Sequence, residues 1–135
     1  MPNLNQLTHL IELVKQNKAI EAYKKFYHDD VVVQEANFPP RIGLAASIDH
    51  VSQGKDSTKE IHEVSTPKIL VDGDHSIIEW HAEWTITNGT RIRVEEVALQ
   101  TWRDDKICHE RFFYDPTPLI EAGLLPPIKS LETAN

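Results

Sequence analysis

The chain has 135 residues, 40% hydrophobic and 26% charged, with a formal net charge of −7 at pH 7. That length predicts one domain with a core of its own, and the acidic balance excludes a surface built for nucleic acid or anionic membrane, which needs clustered Lys and Arg. One cysteine, Cys108, excludes an intramolecular disulfide, and no apolar run approaches the roughly 18 residues of a membrane span.

The first nine residues lack a charged start followed by an apolar block, so no secretory signal is expected and the cytoplasm is the simplest location. Leu4 to Tyr27 reads as helical, because Leu7, Leu10, Ile11 and Val14 recur at three- and four-residue spacing. Asn17 marks a turn, leaving two helices or one bent helix. Asp29-Asp30 is expected to end the helical region, and the β-branched run Val31-Val32-Val33 predicts a short strand. A loop follows at Asn37-Phe38-Pro39-Pro40-Arg41-Ile42-Gly43, and then a short helix from Leu44 to Gln53, closed by Gly54. From Glu60 the period changes to two. Lys68 to Val71 continues as strand, Asp72-Gly73-Asp74 is a turn, and Ser76 to Thr87 is the clearest strand. One face of that strand carries Ile78, Trp80, Ala82, Trp84 and Ile86; the other carries Ile77, Glu79, His81, Glu83 and Thr85. Asn88-Gly89 is a hairpin turn. Arg91 to Asp115 reads as a long β-hairpin that sets Glu96, Gln100 and Glu110 on one face with Ala98, Phe112 and Tyr114. Carboxylates on the inner face of a small α+β protein point to a ligand cavity. The Pro-rich tail carries at most a short helix around Leu119 to Ala122 and is expected to fray at its end.

Helices first and then a meander of antiparallel strands predicts an α+β fold. The stretches Tyr27-His28-Asp29-Asp30-Val31-Val32-Val33, Pro40-Arg41-Ile42-Gly43, Asp72-Gly73-Asp74 and Lys106-Ile107-Cys108-His109-Glu110-Arg111-Phe112-Phe113-Tyr114-Asp115, in that order, resemble the nuclear-transport-factor-2-like superfamily, and within it the SnoaL-like polyketide cyclase branch. The resemblance covers about residues 4–115. It implies a cone-shaped barrel: a curved, mostly antiparallel sheet packed on N-terminal helices, with an internal cavity. The domain then occupies residues 1–115, and residues 116–135 form a Pro-rich C-terminal extension of it.

The family's known catalytic patterns do not transfer intact. Glu35 matches the general base of steroid isomerases, but Ile11 and Ala98 stand where their oxyanion-stabilising Tyr and Asp would be. Glu79, His81 and Phe112 stand where epoxide hydrolases carry an Arg and two Asp, and Phe112 and Glu110 where polyketide cyclases carry Asp and His. The resemblance further implies that Glu79, His81 and Glu83 point inward with Ala98, Glu110, Phe112 and Tyr114, which sends Trp80 and Trp84 outward. On pattern alone the Trp face is the more apolar and the opposite orientation stays open.

The expected catalytic groups are Glu35, His81 and Glu110, with Glu79, Glu83, Gln100, Phe112 and Tyr114 as ligand-binding residues. Crowded, buried carboxylates are driven toward their protonated form, which prepares a proton donor. The seven histidines are scattered, so neither a metal nor another cofactor is expected. The expected function is binding of a small, partly apolar molecule, with general acid/base catalysis of the isomerase, cyclase or hydrolase type; the alternatives are a non-catalytic binding module or a dimeric interaction module. A homodimer through the outer sheet face, with Trp80 and Trp84 as its apolar patch, is expected from the same orientation.

Overall fold

The computed structural model describes residues 2–126. The chain runs α1 (Leu4–Lys15), α2 (Ala19–Phe26), β1 (Tyr27–Glu35), β2 (Arg41–Ile42), α3 (Leu44–Ser57), β3 (Thr58–Ser65), β4 (Ile69–Asp72), β5 (His75–Ile86), β6 (Arg91–Arg103), β7 (Lys106–Phe113) and α4 (Thr117–Glu121). Asn3 and Gln6 form a reciprocal capping box that starts α1. Asn17, at φ 63°, turns the chain between the first two helices, so the N-terminal region is two helices. The helical region ends at Phe26, ahead of Asp29 and Asp30, which are exposed positions inside β1. Gly54 does not close α3 either, which continues for another turn to Ser57.

Seven strands form one curved, mixed sheet in the order β2-β1-β7-β6-β5-β3, with β4 also pairing β5. The first long strand lies parallel to the last, Val33 opposite Glu110 and Glu35 opposite Phe112, while the other pairs are antiparallel. The sheet is not closed: β2 and β3 are its edges. Its concave face packs on the helices. Leu7, Leu10 and Ile11 of α1 and Ala22, Tyr23 and Phe26 of α2 are buried against Val31, Val33, Ile78, Trp80, Ala98, Trp102 and Ile107. A second apolar cluster gathers Ile86, Ile92 and Val94 under Trp84, Tyr114, Leu119, Ala122 and Leu124.

The inward orientation expected for Glu79, His81 and Glu83 is reversed. Ser76, Ile78, Trp80 and Ile86 are the buried positions of β5, and Trp80 is 7% exposed. Ile78 pairs with Ala98 and Trp80 with Glu96 on the inner face, whereas His81 pairs with Glu95 and Glu83 with Arg93 on the outer one. The reason is solvation: burying an indole removes more apolar area from water than any other orientation of this strand, and the three ionisable groups find partners outside. His81 Nε2 lies 2.8 Å from Glu79 Oε2. Glu83 pairs with Arg91 and Arg93, and the Arg91 hydrogen bond is the largest influence holding its carboxyl below the ordinary range. Trp80 and Trp84 therefore cannot form an outer dimer patch. Residues 127–135 of the Pro-rich extension, including its expected frayed end, lie outside the described residues.

Candidate functional site

The inner face of the sheet leaves a cavity of about 780 Å³ beside the main core, a size suited to a small organic molecule. Its walls come from five directions. Ala82 and Trp84 of β5 and Val94 and Glu96 of β6 supply the sheet side; Val14 and Asn17 approach from α1 and its turn; His50, Val51 and Lys55 come from α3; Glu35 and Tyr114 stand at the ends of β1 and β7; Leu119, Leu124 and Leu125 cover it from the C-terminal segment. Apolar surface makes up the larger part of this lining; its ionisable members are Glu35, His50, Glu96 and Tyr114 and, from the end of α3 and from β3, Lys55, Lys59 and Glu60.

Glu35 is held in place by two donors. The Tyr114 hydroxyl donates to Oε1 at 3.0 Å, and Arg41 Nη2 donates to Oε2 at 3.3 Å. Both partners are local consequences of topology: the parallel β1–β7 pairing brings Tyr114 beside Glu35, and the short β2 returns Arg41 against β1. Burial, the charge of Glu35 and the hydrogen bond to it all push the Tyr114 phenol up, so it stays protonated and serves as a donor. His50 is held below its ordinary range by burial and by the Arg41 guanidinium, with Glu35 acting in the opposite sense, so its imidazole is neutral at pH 7.

Glu96 differs. No hydrogen bond or ion pair satisfies it among the described residues, and it faces the cavity. Burial first, then the charges of Glu35 and Glu110, push its carboxyl up to about 8. At pH 7 it is mainly the neutral acid, with an O–H to donate into the cavity.

Glu110 has the opposite circumstances. It is 1% exposed and sits in a closed chain of side chains. Trp102 Nε1 donates to Ser76 Oγ at 2.8 Å, Ser76 donates to Gln100 Oε1 at 2.6 Å, and Gln100 Nε2 donates to Glu110 Oε2 at 2.6 Å. The Tyr27 hydroxyl completes the set with 2.7 Å to Oε1. Burial pushes Glu110 up to about 7, against the pull of the Tyr27 and Gln100 hydrogen bonds. Both carboxylate oxygens and Gln100 are thus committed to core contacts.

Of the residues singled out in the sequence, Glu35 and Tyr114 meet in the cavity. Glu110 and Gln100 meet each other in the core, where neither lines the cavity. Phe112 packs against the main core. Glu79, His81 and Glu83 lie on the far side of the sheet and approach none of these groups. Three members were missed: Arg41, Glu96 and His50. Each carried some signal. Arg41 lies six residues from Glu35 across a Pro-Pro turn, and Glu96 lies on the face already assigned inward. His50 shares the i, i+3 face of α3 with Ser47, which is fully buried. No group of three or more His, Cys, Asp or Glu suited to a metal ion occurs among the described residues, and no helix there is long and apolar enough to cross a membrane.

A family model described as a SnoaL-like domain matches residues 7–110. No curated protein shows a significant match. Among solved structures, a candidate SnoaL-like polyketide cyclase from Mesorhizobium loti is 26% identical with a TM-score of 0.74, over 84% of this chain and 100% of that one. A second candidate cyclase of this kind, from Jannaschia sp. CCS1, is 16% identical with a TM-score of 0.74, over 94% and 97%. A nuclear-transport-factor-2-like protein of unknown function from Burkholderia pseudomallei is 12% identical with a TM-score of 0.77, over 90% and 97%; at such identities the likeness is one of fold.

Proposed function

The chain belongs to the SnoaL-like domain family of the nuclear-transport-factor-2-like superfamily, and we propose that its cavity binds a small, uncharged, partly apolar molecule and acts on it by general acid/base chemistry. The observation that carries this reading is the contrast between two carboxyl groups in one cavity. Glu96 is a half-buried acid without a hydrogen-bond partner, pushed up to about 8. Glu35 is an anchored carboxylate whose charge Arg41 compensates. A protonated acid in one cavity with a carboxylate paired to a guanidinium is how one site supplies both an acid and a base. Glu96 takes the place first expected of His81 and Glu110.

For a ligand carrying a ketone, the roles are concrete. Glu96 donates its proton to the carbonyl oxygen while Glu35 takes one from the adjacent carbon, which gives the enol; the reverse transfers restore the ketone. Tyr114 and Arg41 position the Glu35 carboxylate. An anionic ligand fits this end poorly, since it would face the charge of Glu35 and an acid that titrates near neutrality. A second reading, binding without turnover, is favoured by one detail: both Glu35 oxygens already accept hydrogen bonds.

One experiment separates the readings. A methyl ketone such as 2-octanone is incubated with the protein in D2O, its binding is followed by calorimetry, and deuterium uptake beside the carbonyl is followed by NMR. The enzyme reading expects catalysed exchange, lost by about 100-fold in Glu35→Gln with binding retained. It also expects binding to weaken as the pH rises through about 8, because the donating form of Glu96 is lost there. Binding with no exchange above buffer leaves the binding module; no binding to ketones or alcohols at any pH sinks both.

Assembly of two copies through the convex sheet face belongs to the same proposal, on a patch other than the one first expected. Leu70, Ile77 and Leu99 lie side by side across β4, β5 and β6, and Val97 lies opposite Phe113. Leu70, Val97, Leu99 and Phe113 are exposed, which is the composition of an interface centre.

A further inference from the structure

Resting on the cavity reading above, we infer that the segment 116–126 is the specificity-determining wall of the cavity, fixing the length of the apolar part of an uncharged amphiphile whose polar end meets Glu96 and Tyr114. Glu35, Glu96 and Tyr114 form one polar set: the Tyr114 hydroxyl donates to Glu35, and both carboxyl groups act on the phenol electrostatically, while Lys55, Lys59 and Glu60 line the cavity from α3 and β3. The apolar lining is supplied by Trp84 and Val94 on the sheet and by Leu119, Leu124 and Leu125 on the segment.

The segment is built to be a wall and little else. Pro116 opens it, Asp115 Oδ1 accepts the Thr117 N–H at 3.0 Å, and α4 lasts five residues. Gly123, at φ 77°, reverses the chain, and the Leu124 and Leu125 N–H groups return to the Leu119 carbonyl at 2.9 and 3.3 Å. These backbone bonds are internal to the segment. Among the described residues, positions 117–126 make no hydrogen bond or ion pair to the strands or to α1, α2 or α3. The segment attaches through Leu119, Ala122 and Leu124, which pack on Ile86, Ile92, Val94, Trp84 and Tyr114 as a cluster separate from the main core. A wall held by apolar contact alone lets side-chain size change there without breaking a hydrogen bond. Substitution at Leu124 therefore reads out size selection without removing a polar contact of the segment.

The test uses 2-pentanone, 2-octanone and 2-undecanone as probes, with the full chain and two substitutions of opposite sense. Dissociation constants come from calorimetry, and quenching of tryptophan fluorescence gives a second readout for the wild type and Leu124→Ala. In the wild type, affinity rises with chain length up to a limit. Leu124→Ala moves that limit outward and strengthens 2-undecanone by about tenfold relative to 2-pentanone; Leu124→Trp moves it inward by a similar factor. If Leu124→Trp fails to fold, Leu124→Ala alone decides. Wild-type binding with the same length profile in the variants overturns the wall assignment and leaves the cavity reading standing. A wild type that binds none of the three ketones overturns both.

Discussion

Glu96 is a carboxyl group held in the cavity wall without a hydrogen-bond partner, in the field of two other carboxylates. Its folded value near 8 lies above the 4.5 of an unperturbed glutamate, so the folded protein binds a proton that the unfolded chain releases between these limits. The stability this proton provides is complete below about pH 4.5 and is lost as pH rises through 8. Glu110, pushed up to about 7, acts in the same direction with a smaller span, because Tyr27 and Gln100 hydrogen-bond its charged form. Glu96→Gln removes the charge that must otherwise be buried. We expect that variant and the wild type to melt together near pH 4, and the variant to be more stable near pH 9 by on the order of 2–4 kcal/mol, read from denaturant titrations at each pH. Equal pH profiles would mean that Glu96 is solvated. The inward direction of Glu96, Gln100 and Glu110 was legible in the hairpin's alternation. What each carboxylate meets there was not. Glu110 accepts a hydrogen bond from Tyr27, 83 positions away in sequence, and a pattern of period two has no access to a partner on another element.

At the scale of elements, the long strand β5 shows how a one-residue choice propagates. Its apolar alternation, taken at face value, gives the observed orientation; aligning it to the functional positions of relatives turns every side chain over, because a strand's side-chain period is two. Helices and turns were legible where local chemistry decides: the Asn17 turn, the Asn88-Gly89 hairpin and the strands that it joins. Boundaries set by tertiary pairing were not, as at Tyr27, where the strand begins opposite Ile107 of β7. Gly43 links the two scales. At φ 92° and ψ 151° it occupies backbone space nearly closed to other residues, while its N–H donates to Val31 at 2.8 Å and starts α3. A Cβ there would meet no atom nearer than 3.8 Å, so strain alone sets the cost. Gly43→Ala should lower stability by about 1–3 kcal/mol, measured by urea denaturation. It should also weaken ligand binding, because α3 carries His50 and Val51 to the cavity.

For the whole molecule, the convex face divides into two halves. One carries the charged set Glu63, Glu83, Arg91, Arg93 and Glu95, already paired among themselves. The other carries Val97, Leu99 and Phe113, with the Arg111 guanidinium 4.6 Å above the Phe113 ring. If two copies associate here, sedimentation at micromolar concentration gives a dimer mass and Phe113→Asp gives a monomer with unchanged helix and sheet content; a monomeric wild type ends the idea. The parallel seam between β1 and β7 has one more implication, for biogenesis. An emerging nascent chain exposes its earliest strand long before the segment that must lie next to it has left the ribosome. Val31 and Val33 then stay wetted until residues near 107–113 are translated. Release of chains ending before Lys106, which lack β7, should yield aggregates rather than smaller folded products.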